Sequence, residues 1–344
     1  MLPAGEGAVD GAQRLIQGAV PPADEDTFRR AILVAMRALA AEGITSDTGP
    51  ALGPGREGIL GGAQGRSGIR AFNALASSVE LPPAHGRPRG ARRARGGSRG
   101  FPRGPADGDP GDRGASPASA SRSQDLRRWR PGEPDGAHAL RLRRDGNGSL
   151  AVGGDSAEAQ EQTLRNMILE GHRADHQVAV HVTGDKATDI AVDAMIEAMR
   201  AFPRPDPRHY GIHADFVSDT TLARMAEWGI GANMNPTIKW LISDSAVENV
   251  GEELAAREWP YRSALRAGTW VTSASDAPVT APTWRQAVAT MMLREGRATG
   301  RVSGPEERIG LIPALRTYST TAAYQDSRKT GRARPSPARS PTSA

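Results

Sequence analysis

From about Asn147 to Asp326 the chain alternates short apolar runs with amphipathic stretches, and this alternation constrains the fold more than any other feature. A helix over 157–175 leads to the run Gln177–Val182. A second helix follows, with Ile190, Ala194, Met195 and Met199 on one face. Tyr210–Phe216 reads as a strand. Ser218 then caps a helix that Gly229 stops, and Ile230–Met234 is the next strand. Pro260 opens a short helix ended by Gly268, and Trp270–Ser275 reads as another strand. Thr283 with Gln286 predicts a capping box for a helix through Met292. Strand–helix alternation at this spacing predicts βαβ units around a parallel sheet. Near the N-terminus, Asp24 precedes a helix with Phe28, Ile32, Ala35 and Leu39 on one face. Gly43 stops it, and Ile44-Thr45-Ser46 is expected to begin a buried strand.

Residues 82–146 have another character. Arg, Gly, Pro and Ala make up 45 of these 65 residues, and Val, Ile, Met, Tyr and Thr are absent. Such a stretch buries too little apolar surface to offset its ordering entropy, so it is expected to be disordered. The composition therefore divides the chain into an N-terminal fragment (1–80), a low-complexity segment (81–146), a folded region (147–326) and a disordered tail (327–344).

Charge follows the same division. The net charge is +5, yet 82–146 carries +8 and the tail +5, which leaves −8 on the rest. The basic balance thus belongs to the unusual segments and not to a recognition face, and no nucleic-acid partner is favoured. With no cysteine, disulfides, thiolate metal sites and a cysteine nucleophile are excluded. The opening residues lack the basic and apolar regions of a secretory leader, and no apolar run approaches the ~18–20 residues of a membrane span. A cytoplasmic protein is the expectation.

Chemistry concentrates at three positions. His181, His213 and Asp276 each stand at the C-terminal end of a predicted parallel strand. In a (β/α)8 barrel that face carries the active site. Two imidazoles and a carboxylate suit zinc, and the carboxylate can also take a proton from an activated water. Taken singly, each His would satisfy a local hydrogen bond and Asp276 would cap the turn before Pro278.

The strings HVTGDKATDIAVDA (181–194), RHYGIHADF (208–216), GANMNPTIKW (231–240), WPYRSALRAG (259–268) and SASDAPVTAP (273–282) resemble the C-terminal half of a metal-dependent amidohydrolase. The branch they resemble contains the N-substituted formamide deformylases. The likeness runs from about Ser149 to Asp326, with a fainter one over 4–46. It implies a partial (β/α)8 barrel, an α/β fold, interrupted by the low-complexity segment. It implies a divalent metal, zinc above all, held by His181 and His213, with Asp276 as both ligand and general base. A small amide-type substrate follows, with Arg262 a candidate substrate or carbonyl contact, though an exposed helix arginine is the favoured reading. Asp185 is expected to cap the helix it precedes. Lys186 and Lys239 are expected to be solvated or salt-bridged, and His172, His176 and His209 to lie on the surface.

The departures are as informative. The family's HxH metal pair occurs nowhere among the seven histidines, and no lysine precedes Lys186 to serve as a bridging ligand. At most one weakly held metal is therefore expected, with impaired hydrolysis. The chain has three lysines against 41 arginines, which suggests G+C-rich codons. Residues 82–146 and those after Asp326 then read as out-of-frame translation of such a gene, in a chain truncated at its start. Two other functions fit parts of the sequence. RARGGSRGFPRG (93–104) resembles the Arg-Gly boxes of RNA-binding tails, and some amidohydrolase relatives have been labelled regulators of exoenzyme production, with no hydrolytic role shown.

Overall fold

The computed structural model describes residues 24–49, 65–77, 150 and 152–326, in two compact units divided between Trp129 and Arg130. The low-complexity segment and the tail, with the disorder and frame expectations attached to them, lie outside the described residues.

The N-terminal unit contains helices α1 (Glu25–Ala41) and α2 (Gly65–Ser77). Asp24 caps α1 by accepting from the Thr27 backbone N–H at 2.6 Å. Ile32 and Met36 bury against Ala71 and Leu75, with Phe28, Leu33 and Phe72 packed around them. Gly43 (φ 75°) ends α1 as expected. Residues 44–46, however, are neither a strand nor buried. The N-terminal unit contains no strand among its described residues.

The C-terminal unit is built on four short parallel strands in sequence order: β1 (Ala179–Val182), β2 (Tyr210–His213), β3 (Gly231–Met234) and β4 (Val271–Ser273). Helices α3 (Ala157–Arg173), α4 (Asp185–Ala201), α5 (Asp219–Glu227), α6 (Pro236–Val250), α7 (Glu252–Ala256) and α8 (Tyr261–Ala267) alternate with them. After β4 come α9 (Trp284–Leu293), a 3-10 turn (Pro305–Glu307), α10 (Leu311–Tyr318) and α11 (Thr320–Gln325). Val180 and Val182 of β1 bury with Ile190, Ala194, Met195 and Met199 of α4, which places the expected apolar stripe in the core. Ser218 caps α5 through the Thr221 N–H (3.1 Å), and Gly229 and Gly268 take left-handed φ values of 64° and 89° after α5 and α8.

A local expectation fails at α9. Thr283 precedes α9 without a side-chain cap; its hydroxyl donates instead to Ala281 O at 3.4 Å, so the capping box does not form. Helix α6 carries no clear amphipathic pattern because Pro236, Thr237, Ile238, Lys239, Ile242, Ser243 and Ala246 bury around most of its surface.

The N-terminal edge of the sheet is stitched to the end of the unit. Gln177 Nε2 donates to Arg208 O (2.6 Å) and Gln325 O (2.9 Å), while Thr272 Oγ1 donates to Gln325 Oε1 (2.6 Å). Trp270 packs edge-on between Tyr210 and Tyr324, and its Nε1 donates to Gly229 O at 3.0 Å. Gly231 faces this indole so closely that a Cβ there would come within 2.3 Å of three of its ring carbons. Gly231→Ala is expected to displace Trp270 and lower stability by about 1–3 kcal/mol, the usual range for overpacking. Urea denaturation measures it, and an unchanged midpoint would show that the indole moves freely.

Candidate functional site

His181, His213 and Asp276 come together at the C-terminal ends of the strands. The imidazoles of His181 and His213 meet edge to face, 4.5 Å between centroids. His213 Nε2 lies 4.0 Å from Asp276 Oδ2, with the histidine side chain 9% exposed and the carboxylate 26%.

The meeting of the two rings depends on backbone conformation. In a parallel pair, partners in register point to the same face of the sheet, and successive residues alternate. Val182 is the partner of His213 and is buried with Val180, whereas His181 pairs with Ile212. Regular alternation would therefore send His213 to the Val182 face, away from His181. Instead β2 ends at His213, where φ is 67°, followed by Ala214 at 48°. This left-handed turn swings the His213 ring back to the face of His181. Asp276 (φ 55°) is also left-handed.

Asn235, which sequence reasoning passed over, fixes the tautomer. Its Nδ2 donates to Ala274 O (3.0 Å), so its Oδ1 must face His213 Nδ1 at 2.8 Å and accept from it. Nδ1 therefore carries the proton, and in the neutral ring Nε2 presents its lone pair towards Asp276. An Asn at the end of a predicted strand, before the helix-opening Pro236, was the available signal.

A buried polar network lies behind the turn. Lys239 Nζ, one turn into α6 from Asn235, pairs with Glu258 Oε2 at 3.2 Å, both side chains 3% exposed or less. Burial pushes Lys239 down to about 8 and Glu258 up, against the attraction between them. Of the two readings of Lys239, salt-bridged holds and solvated does not.

Arg262 is exposed on α8, beside the buried Tyr261 whose hydroxyl meets Ser273 Oγ at 3.1 Å. Asp185 is the first residue of α4 and not its cap, which is Gly184; its Oδ1 accepts from the Lys186 N–H at 2.8 Å. His172 and His209 are not surface residues, with exposures of 2% and 0%. They form a relay at the other end of the sheet. The Val178 N–H donates to His209 Nδ1 (2.9 Å), His209 Nε2 faces His172 Nδ1 (2.8 Å), and His172 Nε2 reaches Phe202 O (2.7 Å). His176 is half-buried.

The donor chemistry fits a divalent cation in part. The 4.0 Å gap between His213 and Asp276 is slightly wider than the roughly 3.4 Å between ligands of a tetrahedral zinc with ~2.1 Å bonds. Among the described residues, no group of three His, Cys, Asp or Glu side chains closes into a metal-holding set. His181 stands beside the pair without completing it. No described helix is long and apolar enough to cross a membrane.

Known proteins share this architecture. An uncharacterized metal-dependent hydrolase from Pyrococcus furiosus superposes with a TM-score of 0.63 at 18% identity, over 95% of this chain and 61% of its own. Another from Pyrococcus horikoshii OT3 gives 0.63 at 17%, over 92% and 58%. Protein LONG AFTER FAR-RED 3 of Arabidopsis thaliana is 27% identical over 164 residues, 47% of this chain and 28% of that protein. The chain thus spans well under two thirds of the length of these relatives. At such identities the two hydrolase structures bear on the fold, and they identify the parallel sheet as part of a (β/α)8 barrel. A match to the amidohydrolase family extends over residues 3–333. With that match across nearly its whole length, the chain belongs to the amidohydrolase family.

Proposed function

We propose that His181, His213 and Asp276 are the remaining part of a metal-dependent hydrolase site acting on a non-peptide C–N bond, of amide or formamide type. The observation that carries this reading is the facing pair of His213 Nε2 and Asp276 Oδ2 at 4.0 Å, two acceptors whenever the ring is neutral. A cation shared by the two would reconcile them, and when bound it would lower the pKa of water from about 15.7 towards 7. Asn235 holds the proton on Nδ1 and so leaves Nε2 as the ring nitrogen that would ligate a metal. Asp276, part-exposed at the rim, can accept a proton from water and return it to a leaving amine. Zinc is the cation proposed, since imidazole and carboxylate are among its usual ligands. With neither an HxH pair nor a lysine before Lys186, the chain holds such a cation weakly and hydrolyses slowly.

Zinc titration with an N-formyl-amide hydrolysis assay tests both parts. Weak zinc binding is expected, abolished by His213→Ala and by Asp276→Asn, with little or no turnover. Zinc binding indifferent to both substitutions would overturn the site. Robust, chelator-sensitive turnover would overturn the impairment.

A further inference from the structure

We propose that Trp259, held in place by Arg294, is a positioning residue that keeps His213 in the left-handed turn bringing its ring to His181 and Asp276. The inference rests on the reading of His213 as a site residue and extends it to two side chains that do not touch the reacting centre.

Trp259 grips the turn from both sides. Its indole Nε1 donates to His213 O at 3.0 Å, and its backbone N–H donates to Asp215 O at 2.7 Å. The two carbonyls bracket Ala214, whose own N–H donates to Val182 O at 2.9 Å. Two successive non-glycine residues at positive φ are costly and persist only where their surroundings over-determine them. Trp259 supplies that constraint. It is 0% exposed and itself left-handed, at φ 50°.

Arg294 fixes Trp259 in turn. It sits at the C-cap of α9, 1% exposed, and its guanidinium donates to four backbone carbonyls. These are Ser303 O (3.0 Å), Trp259 O (2.9 Å), Glu258 O (2.9 Å) and Ala256 O (3.1 Å). Such a spread matches the planar donor fork of arginine and is beyond an ammonium group. A rigid 256–259 turn results, from which the indole reaches across to His213. The imidazole is therefore held through its ring by Asn235, and the turn that carries it is held by Trp259.

Trp259→Phe keeps most of the buried ring and deletes the Nε1 donor; Arg294→Lys keeps the charge and deletes the fork. In the full chain, hydrogen exchange at the Ala214 amide is expected to rise roughly tenfold in Trp259→Phe, the equivalent of one lost hydrogen bond. Exchange at the remote Ile230 amide, bonded to Met225 O at 2.8 Å, should stay close to that of the parent. Zinc affinity should fall about tenfold or more, as for lost outer-shell partners of other metal sites. Arg294→Lys should move both readouts in the same direction. Equal acceleration at Ala214 and Ile230, or no acceleration, would overturn the proposal. So would local acceleration with zinc affinity unchanged, provided His213→Ala abolishes binding in the same titration. Where His213→Ala leaves zinc binding intact, the metal-site reading fails, and the exchange comparison alone decides whether Trp259 holds the turn.

Discussion

Lowering the pH from 6.5 towards 3 is expected to unfold the C-terminal unit, with one proton taken up at His209. Its ring is fully buried; burial above all, then His172 and Arg204, hold its pKa at about 3 against an ordinary 6.5. Because the folded value is depressed, the unfolded chain binds a proton that the folded chain refuses throughout this interval. The stability this group contributes is complete above 6.5 and is lost as the pH falls towards 3. At 1.36 kcal/mol per unit the loss reaches about 5 kcal/mol, comparable with the roughly 5–15 kcal/mol that holds a typical domain folded. Geometry gives the same answer: Nδ1 accepts from the Val178 N–H, so a proton there would set two donors against each other. Denaturation midpoints measured from pH 7.5 to 4 should fall steeply in the parent. In His209→Gln the slope should decrease by close to one proton, even though the variant starts less stable. An identical slope in the two proteins would show that acid sensitivity arises elsewhere.

The second large effect concerns the Lys239–Glu258 pair. Glu258→Leu leaves an ammonium buried without its partner and is expected to cost about 3–5 kcal/mol. Lys239→Met combined with Glu258→Leu should recover most of that loss. The opposed shifts of Lys239 and Glu258 show that desolvation outweighs their attraction, so apolar groups of similar volume are no worse there. A double-mutant cycle by urea denaturation gives the coupling directly. If the double variant is as unstable as the sum of the singles, the two charges do not act as a pair.

The sequence was most legible where one face of an element meets the core and the other meets water. The stripe of α4, the cap of α5 and the glycine stops all fall where periodicity and turn chemistry put them. Alternation located the strands themselves and so drew attention to His181, His213 and Asp276, although the second and fourth strands end earlier than expected. What escaped depends on conformations that no local pattern encodes. The run HADF carries no glycine to announce a left-handed turn, so β2 was extended to Phe216 although it stops at His213. His172 and His209 lie 37 residues apart and become partners only when α3 and β2 are packed. Their polarity suggested the surface, and mutual satisfaction allows burial instead. Helix α6 hid for a related reason: buried on several faces, it has no single apolar stripe to read.

The stitching of the sheet edge by α11 also sets an order of events during synthesis. Gln177 and Gln325 are separated by 148 positions, and Arg208 and Tyr324, joined by a side-chain to carbonyl bond, by 116. A nascent chain can assemble β1 to β4 with their helices, but these bonds cannot close until residue 325 has left the ribosome. Until then the bonds from Gln177 and Thr272 to Gln325 stay open, and the four strands wait on α11, the latest of the described helices, to tie β1 to β4.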